Sequence, residues 1–266
     1  MFWFAVCLLS LGGADWLPKG WLEPPSASAG MVQIDGAEFR PFYPPNEDEK
    51  VVHVAPFRID RRPVTNGQFL RFVTWAPRYR RGSISPLFTD SEYLSHWAAP
   101  LSLGDAVAAE EPVTRVSWFA AKSYCQWRGA RLPTEMEWEL VAAADERSRD
   151  ARTDAAFVAR TMRWYSERTP RPPAVGRGAP NYYGVYDMHG LVWEWVLDFN
   201  SNLVSADSRE KLSEDKQRYC GSGALSATDV SDYASFMRIA FRSSLQARFT
   251  TKNLGFRCAS STGAES

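Results

Sequence analysis

The chain has 266 residues, with 31 Lys and Arg against 31 Asp and Glu, and so a formal net charge of zero. That balance leaves no electrostatic footprint for nucleic acid or for an anionic membrane surface. The length allows a sizeable core in one large domain, and no Gly/Ser tract, charge block or internal repeat divides it.

The first element is an apolar run from Met1 to Ala14. It is too short to span a bilayer, and it ends in Gly12, Gly13 and Ala14, small residues that suit a signal-peptidase cut near Ala14. Residues 1–20 are therefore expected to be a signal segment, which implies export to the periplasm or the outside. The run carries no Lys or Arg before its apolar core, and a cytoplasmic location follows if synthesis starts elsewhere. A lipid anchor on Cys7 fits poorly, because Val6 precedes it and the apolar stretch before it is short.

Beyond that segment the periodicity predicts three helices. Thr65 followed by Gln68 is a capping box, and Phe69, Phe72 and Val73 supply the apolar stripe behind it. Ser117 caps a second helix with Trp118, Ala121 and Cys125 on one face, ended by Gly129. Thr134 with Glu137 is another capping box, and Trp138, Val141 and Ala142 give the third helix its buried side. Strands are expected at Val51–Val54, Phe57–Asp60, Met237–Arg242 and Leu254–Ala259. The stretches 77–111 and 199–227 show no clear period and read as irregular. The 11 tryptophans read as core filling for such a loop-rich chain, with an aromatic-lined groove as the alternative. No nucleophile elbow and no phosphate-cradling glycine loop appears. Periodicity alone gives an α+β, loop-rich fold.

Several blocks together say more. They are Gly30-Met31-Val32, Pro63-Val64-Thr65-Asn66, Pro112-Val113-Thr114 with Val116-Ser117-Trp118, and Arg131-Leu132-Pro133-Thr134-Glu135 with Glu137-Trp138-Glu139. Tyr183-Gly184-Val185-Tyr186-Asp187-Met188, Val192-Trp193-Glu194-Trp195 and Asn253-Leu254-Gly255-Phe256-Arg257-Cys258 complete the set. In that order and at those intervals the chain resembles the formylglycine-generating enzyme, or sulfatase-modifying factor, family. The resemblance implies one domain over residues 28–261 with that family's C-type-lectin-like fold, which has little regular structure.

Four positions are implied to bind Ca²⁺: Asp187 and Glu194 by side-chain oxygens, Gly190 and Val192 by carbonyls. A hard cation wants such a set of oxygens from a tight turn. Leu191 stands where the family carries Asn. The alternative is that Glu194, between Trp193 and Trp195, is a hydrogen-bonded core acid, since a buried carboxylate needs a partner or a metal. The resemblance also implies a Cys125–Cys258 disulfide. In a cytosolic protein these would instead be two buried thiols.

The family's oxidases convert a substrate cysteine to formylglycine at a pair of cysteines that hold copper as thiolates, matched here near Asp229 and Ala234. Neither position is cysteine, and none occurs between Gly221 and Arg257. Soft Cu(I) asks for thiolate ligands, and Asp or Ala does not replace them. Copper is therefore not expected. Cys220 remains as a lone thiol site, and His53, His96 and His189 are scattered without ligand spacing. Arg238 and Arg242 are either the wall of a groove for a peptide or acidic ligand, or ion-pair partners within the fold.

The reading favoured by these residues is a monomeric, non-oxidase binding or accessory module with a protein or peptide partner. A copper oxidoreductase relocated to Cys220 is the rival. Carbohydrate binding of the lectin kind rests on fold analogy alone. A related branch of the fold that forms sulfur–carbon bonds uses an iron-binding N-terminal domain with no counterpart in this chain.

Overall fold

The computed structural model describes residues 23–42, 50–167, 171–199 and 230–262. The expected signal segment, Cys220, Asp229 and nearly all of the 199–227 stretch lie outside them. Four strands come first: β1 (Met31–Ile34), β2 (Ala37–Phe39), β3 (Val52–Val54) and β4 (Phe57–Asp60). The helices α1 (Asn66–Trp75), α2 (Trp118–Trp127), α3 (Glu135–Ala142) and α4 (Ala155–Ser166) follow. Then come β5 (Trp193–Trp195), α5 (Val230–Ser243), β6 (Leu254–Phe256) and β7 (Ala259–Ser261). This is a mixed α/β fold with few regular elements. No helix of the described residues is long and apolar enough to cross a membrane.

The helix starts follow from local chemistry. Thr65 and Thr134 each close a capping box, with Gln68 and Glu137 reaching back to the cap residue's N–H. Ser117 accepts from the Ala120 N–H, and Gly129, at φ 71°, carries the left-handed turn just past α2. Helix α4 was not legible from periodicity. Asp154 caps it, and it buries only Phe157, Val158 and Thr161.

Among the described residues there are three small sheets, and the first joins early and late segments. β4 lies between β1 and β7, antiparallel to both, with Ile59 opposite Val32 and Ala259. β2 and β3 form an antiparallel pair, and β5 runs parallel to β6 with Glu194 opposite Gly255. The single strand expected over Leu254–Ala259 is thus two short ones. Arg257 and Cys258, between them, turn fully into the interior. The core centres on Phe69, whose ring meets Phe72, Tyr124, Phe256 and Trp97 at 5.4–6.3 Å. Trp97, Trp138 and Trp195 are buried, whereas Trp75 is half exposed.

One expected element is overturned. Met237–Arg242 is the C-terminal half of helix α5, not a strand. Met237, Ile239 and Phe241 alternate with Arg238, Ala240 and Arg242, a pattern that imitates a half-buried strand. The helix wins because it places Arg238 and Arg242, four residues apart, on one face opposite Glu135 and Glu139 of α3.

Candidate functional site

Strands β5 and β6 bring Glu194 and Arg257 together, and both side chains are wholly buried. The Arg257 guanidinium donates from Nε to Glu194 Oε2 at 2.7 Å and from Nη2 to Oε1 at 2.8 Å. Trp138 Nε1 adds a third bond, to Oε2 at 2.8 Å. The remaining donors of Arg257 go to the carbonyls of Asp60, Tyr186 and Asp187. Glu194 therefore has the core partners that a buried carboxylate needs.

Asp187 sits in the adjoining turn at φ 58°, a left-handed conformation that Asp tolerates better than most residues. Its Oδ2 accepts the Gly176 N–H. Burial raises its carboxyl above the ordinary range and the nearby Glu194 charge adds to this, while the Gly176 N–H and Arg257 act in the opposite direction. The carbonyls of Gly190 and Val192 accept no loop backbone bond among the described residues. Those residues contain no cluster of three or more His, Cys, Asp or Glu side chains suited to a metal.

A second ionic layer underlies the same region. Arg128, the residue capping the C-terminus of α2, grips Asp60 at the end of β4 through two bonds, of 2.8 and 3.1 Å. Asp60 Oδ2 also accepts the Cys258 N–H at 2.9 Å. Cys258 is bonded to Cys125 of α2, with a Cα separation of 5.6 Å. The disulfide and the ion pair thus tie the last block of the chain to α2 side by side.

The third layer joins α3 to α5. Arg238 donates Nε to Glu139 Oε1 at 2.9 Å, Nη2 to Oε2 at 2.6 Å and Nη1 to the Tyr165 hydroxyl at 2.9 Å. Arg242 Nη1 reaches Glu139 Oε1 at 2.8 Å and Glu135 Oε1 at 3.3 Å, and its guanidinium lies over the Trp138 ring at 4.4 Å. Burial disfavours the Glu139 charge, yet the two arginines hold its carboxyl down to about 2. Glu135 differs. Burial pushes it up to about 7, with Glu139 and Asp198 adding to that push and Arg242 opposing it.

Arg238 and Arg242 are 4% and 3% exposed, so their charges are spent inside the fold rather than along an open groove. Of the two uses open from sequence, the ion-pair one describes them. Glu135, Glu139, Trp138 and Tyr165 were not singled out as their partners. The available signal was the matched four-residue spacing of 135/139 and 238/242. The histidines stay in separate settings. His53 pairs with Glu38 at the surface, His189 Nε2 meets the Ala142 carbonyl, and neither ring nitrogen of His96 has a hydrogen-bond partner among the described residues. Ala234 is buried within α5.

The family defined by the sulfatase-modifying factor enzyme 1-like domain matches residues 23–262. The chain belongs to that family. It is 28% identical to the formylglycine-generating enzyme of Streptomyces coelicolor over 88% of this chain and 90% of that protein. It is 29% identical to the inactive Cα-formylglycine-generating enzyme 2 of Bos taurus, over 97% and 95% respectively. A hercynine oxygenase of Mycobacterium tuberculosis is 34% identical over 55% of this chain and 38% of its own length. Three of the sequence blocks meet in the buried ion pairs of the structure. The Arg131–Glu139 block supplies the acids of α3, the Val192–Trp195 block supplies Glu194, and the Asn253–Cys258 block supplies Arg257 and the disulfide.

Proposed function

We propose that this family member does not generate formylglycine and acts instead as an exported binding or accessory module for a protein or peptide partner, such as a metalloenzyme. One observation carries the reading. The interval 221–257 holds no cysteine, and Ala234, matched to one of the oxidase cysteines, is packed inside α5. A redox thiolate pair has no substitute among such residues. The shared blocks are spent on packing and ion pairing, so the fold stands without the reaction. The bovine relative, named inactive, is a similar chain described as lacking the activity. We read the architecture as the C-type-lectin-like variant, with its long irregular segments offering the surface for the partner.

Copper affinity tests this reading. A Cu(I) titration against a competing chelator should find no tight site, and Cys220→Ser should leave the curve unchanged. Tight binding lost in Cys220→Ser would favour an oxidoreductase with a relocated thiolate.

The reading includes a structural Ca²⁺ held by Asp187, the carbonyls of Gly190 and Val192, and Glu194. The donor set is all oxygen, as that ion requires. Burial beside Glu194 leaves the Asp187 carboxyl a charge that a cation would stabilise. Since Arg257 already engages Glu194, a Glu194 variant would lose stability with or without the ion, and Asp187→Asn is the informative change. A ligand that binds only the folded state, present at a hundredfold its Kd, adds about 2.7 kcal/mol. Chelation should lower the melting temperature of the wild type, and Asp187→Asn should melt lower and ignore chelator. Identical melting of the wild type with and without chelator argues against the ion.

A further inference from the structure

The irregular stretch before α2 carries the most exposed large apolar side chain of the described residues, Leu87 at 79%, with Phe88 beside it at 45%. A closed turn presents the two. The Phe88 N–H donates to the Ser85 carbonyl at 2.9 Å and the Leu87 N–H to the Ser85 hydroxyl at 3.3 Å, and Pro86 occupies the position that favours such a bend. The Phe88 ring rests on Phe119 at 5.1 Å, and Phe119 meets Trp118 at 5.5 Å. Both α2 rings are half-buried. The result is an apolar patch at the start of α2, held in place and needing little ordering to bind. Its charge is one-sided. Lys122, one turn along α2, lies over the Trp118 ring at 4.6 Å. Arg248 borders the other side: its carbonyl accepts the Asp90 N–H, while the Ala247 carbonyl accepts the Trp118 N–H. Neither cation has a carboxylate partner among the described residues, and Arg248 donates to Gln246. The acids that follow Phe88 in sequence are already engaged. Asp90 accepts the Thr250 N–H at 3.0 Å as well as the Thr250 hydroxyl, and Glu92 pairs with Arg115.

We propose that this patch docks an extended peptide segment, which sets a Phe, Trp or Leu against Leu87 and Phe88 and flanks it with Asp or Glu facing Lys122 and Arg248. The inference rests on the accessory-module reading and gives that module a docking surface and a partner chemistry. Apolar surface supplies the attraction, and the two unpaired cations select the charge of the partner. Two other occupants fit less well. A second copy related by a twofold axis would bring the same cations face to face. An anionic lipid surface is recognised by clusters of about four to eight Lys or Arg, and Lys122 with Arg248 fall short of that.

A phage-displayed library of random short peptides, panned on the full chain, tests this. It should enrich large apolar residues flanked by Asp and Glu. An enriched peptide, labelled and followed by fluorescence anisotropy, should lose about tenfold or more in affinity for the double variant Leu87→Ser with Phe88→Ser. Lys122→Gln with Arg248→Gln should weaken binding and flatten its dependence on salt. Leu87, Phe88 and Arg248 are exposed, so both double variants should melt close to wild type. No enrichment, or enrichment of basic or uncharged sequences, overturns the proposal, and so does binding that both double variants leave unchanged. Wild-type dimers in sedimentation that Leu87→Ser dissociates would assign the patch to a second copy. Adsorption to phosphatidylserine vesicles that the same change abolishes would assign it to a membrane, and either result overturns the peptide. Failure of the docking is separable from failure of the non-oxidase reading, because the copper titration does not depend on this patch.

Discussion

Arg257→Met should cost roughly 3–5 kcal/mol of folding stability, the range for breaking a buried ion pair by removing one partner. Arg257 and Glu194 are both fully buried. The substitution leaves the Glu194 carboxylate in the core with Trp138 Nε1 as its remaining donor. It also strips donors from the carbonyls of Asp60, Tyr186 and Asp187. The double change Arg257→Met with Glu194→Met should recover part of the loss, because it removes the stranded charge as well as the cation. Urea unfolding of the two variants beside wild type measures both effects. A loss below about 1 kcal/mol, the range of an exposed pair, would show that the pair is not buried as described.

Breaking the Cys125–Cys258 disulfide should have an effect of similar size. The bond joins positions 133 residues apart, and a loop of that length gives roughly 4–5 kcal/mol in the chain-entropy account. Loss of the bond frees the last block from α2. The neighbouring Asp60 still holds both Arg128 and the Cys258 N–H, so the native arrangement should persist at lower stability. The double variant Cys125→Ala with Cys258→Ala, compared with oxidised wild type, should unfold at markedly lower denaturant. Coincident unfolding curves would contradict this, and so would a peptide map showing Cys220 in the bridge.

The parts legible from sequence are those written in neighbouring residues. Thr65–Gln68 and Thr134–Glu137 announce their helices, because a capping box closes within one turn and needs no distant partner. Helix α5 could not be read that way. Its alternation of Met237, Ile239 and Phe241 with arginines fits a strand, and only Glu135 and Glu139, up to 107 residues away, make the helical face the buried one. The same distance hid the roles of Arg238 and Arg242, which sequence left between groove and ion pair. Helix α4 has a cap in Asp154 but no capping box, and three of its twelve residues, Phe157, Val158 and Thr161, are buried. The pairing of Cys125 with Cys258 came from family resemblance, since three cysteines beyond the first segment do not choose their partners by spacing. For Glu194 the sequence allows both a cation ligand and a hydrogen-bonded core acid. The structure supplies the core partners, Arg257 and Trp138, and leaves the shared cation to the chelation experiment.

The absence of the oxidase reaction is tested most directly on a peptide. Purified protein loaded with copper, free of host enzyme, is incubated in oxygen with a sulfatase-type peptide containing Cys-x-Pro-x-Arg, and the peptide mass is followed. With no thiolate pair in the interval 221–257, the peptide should keep its cysteine unchanged apart from ordinary disulfide formation that a reductant reverses. Multiple-turnover conversion of that cysteine to an aldehyde, trapped by a hydrazide probe and lost in Cys220→Ser, would contradict the account and return the chain to the oxidases.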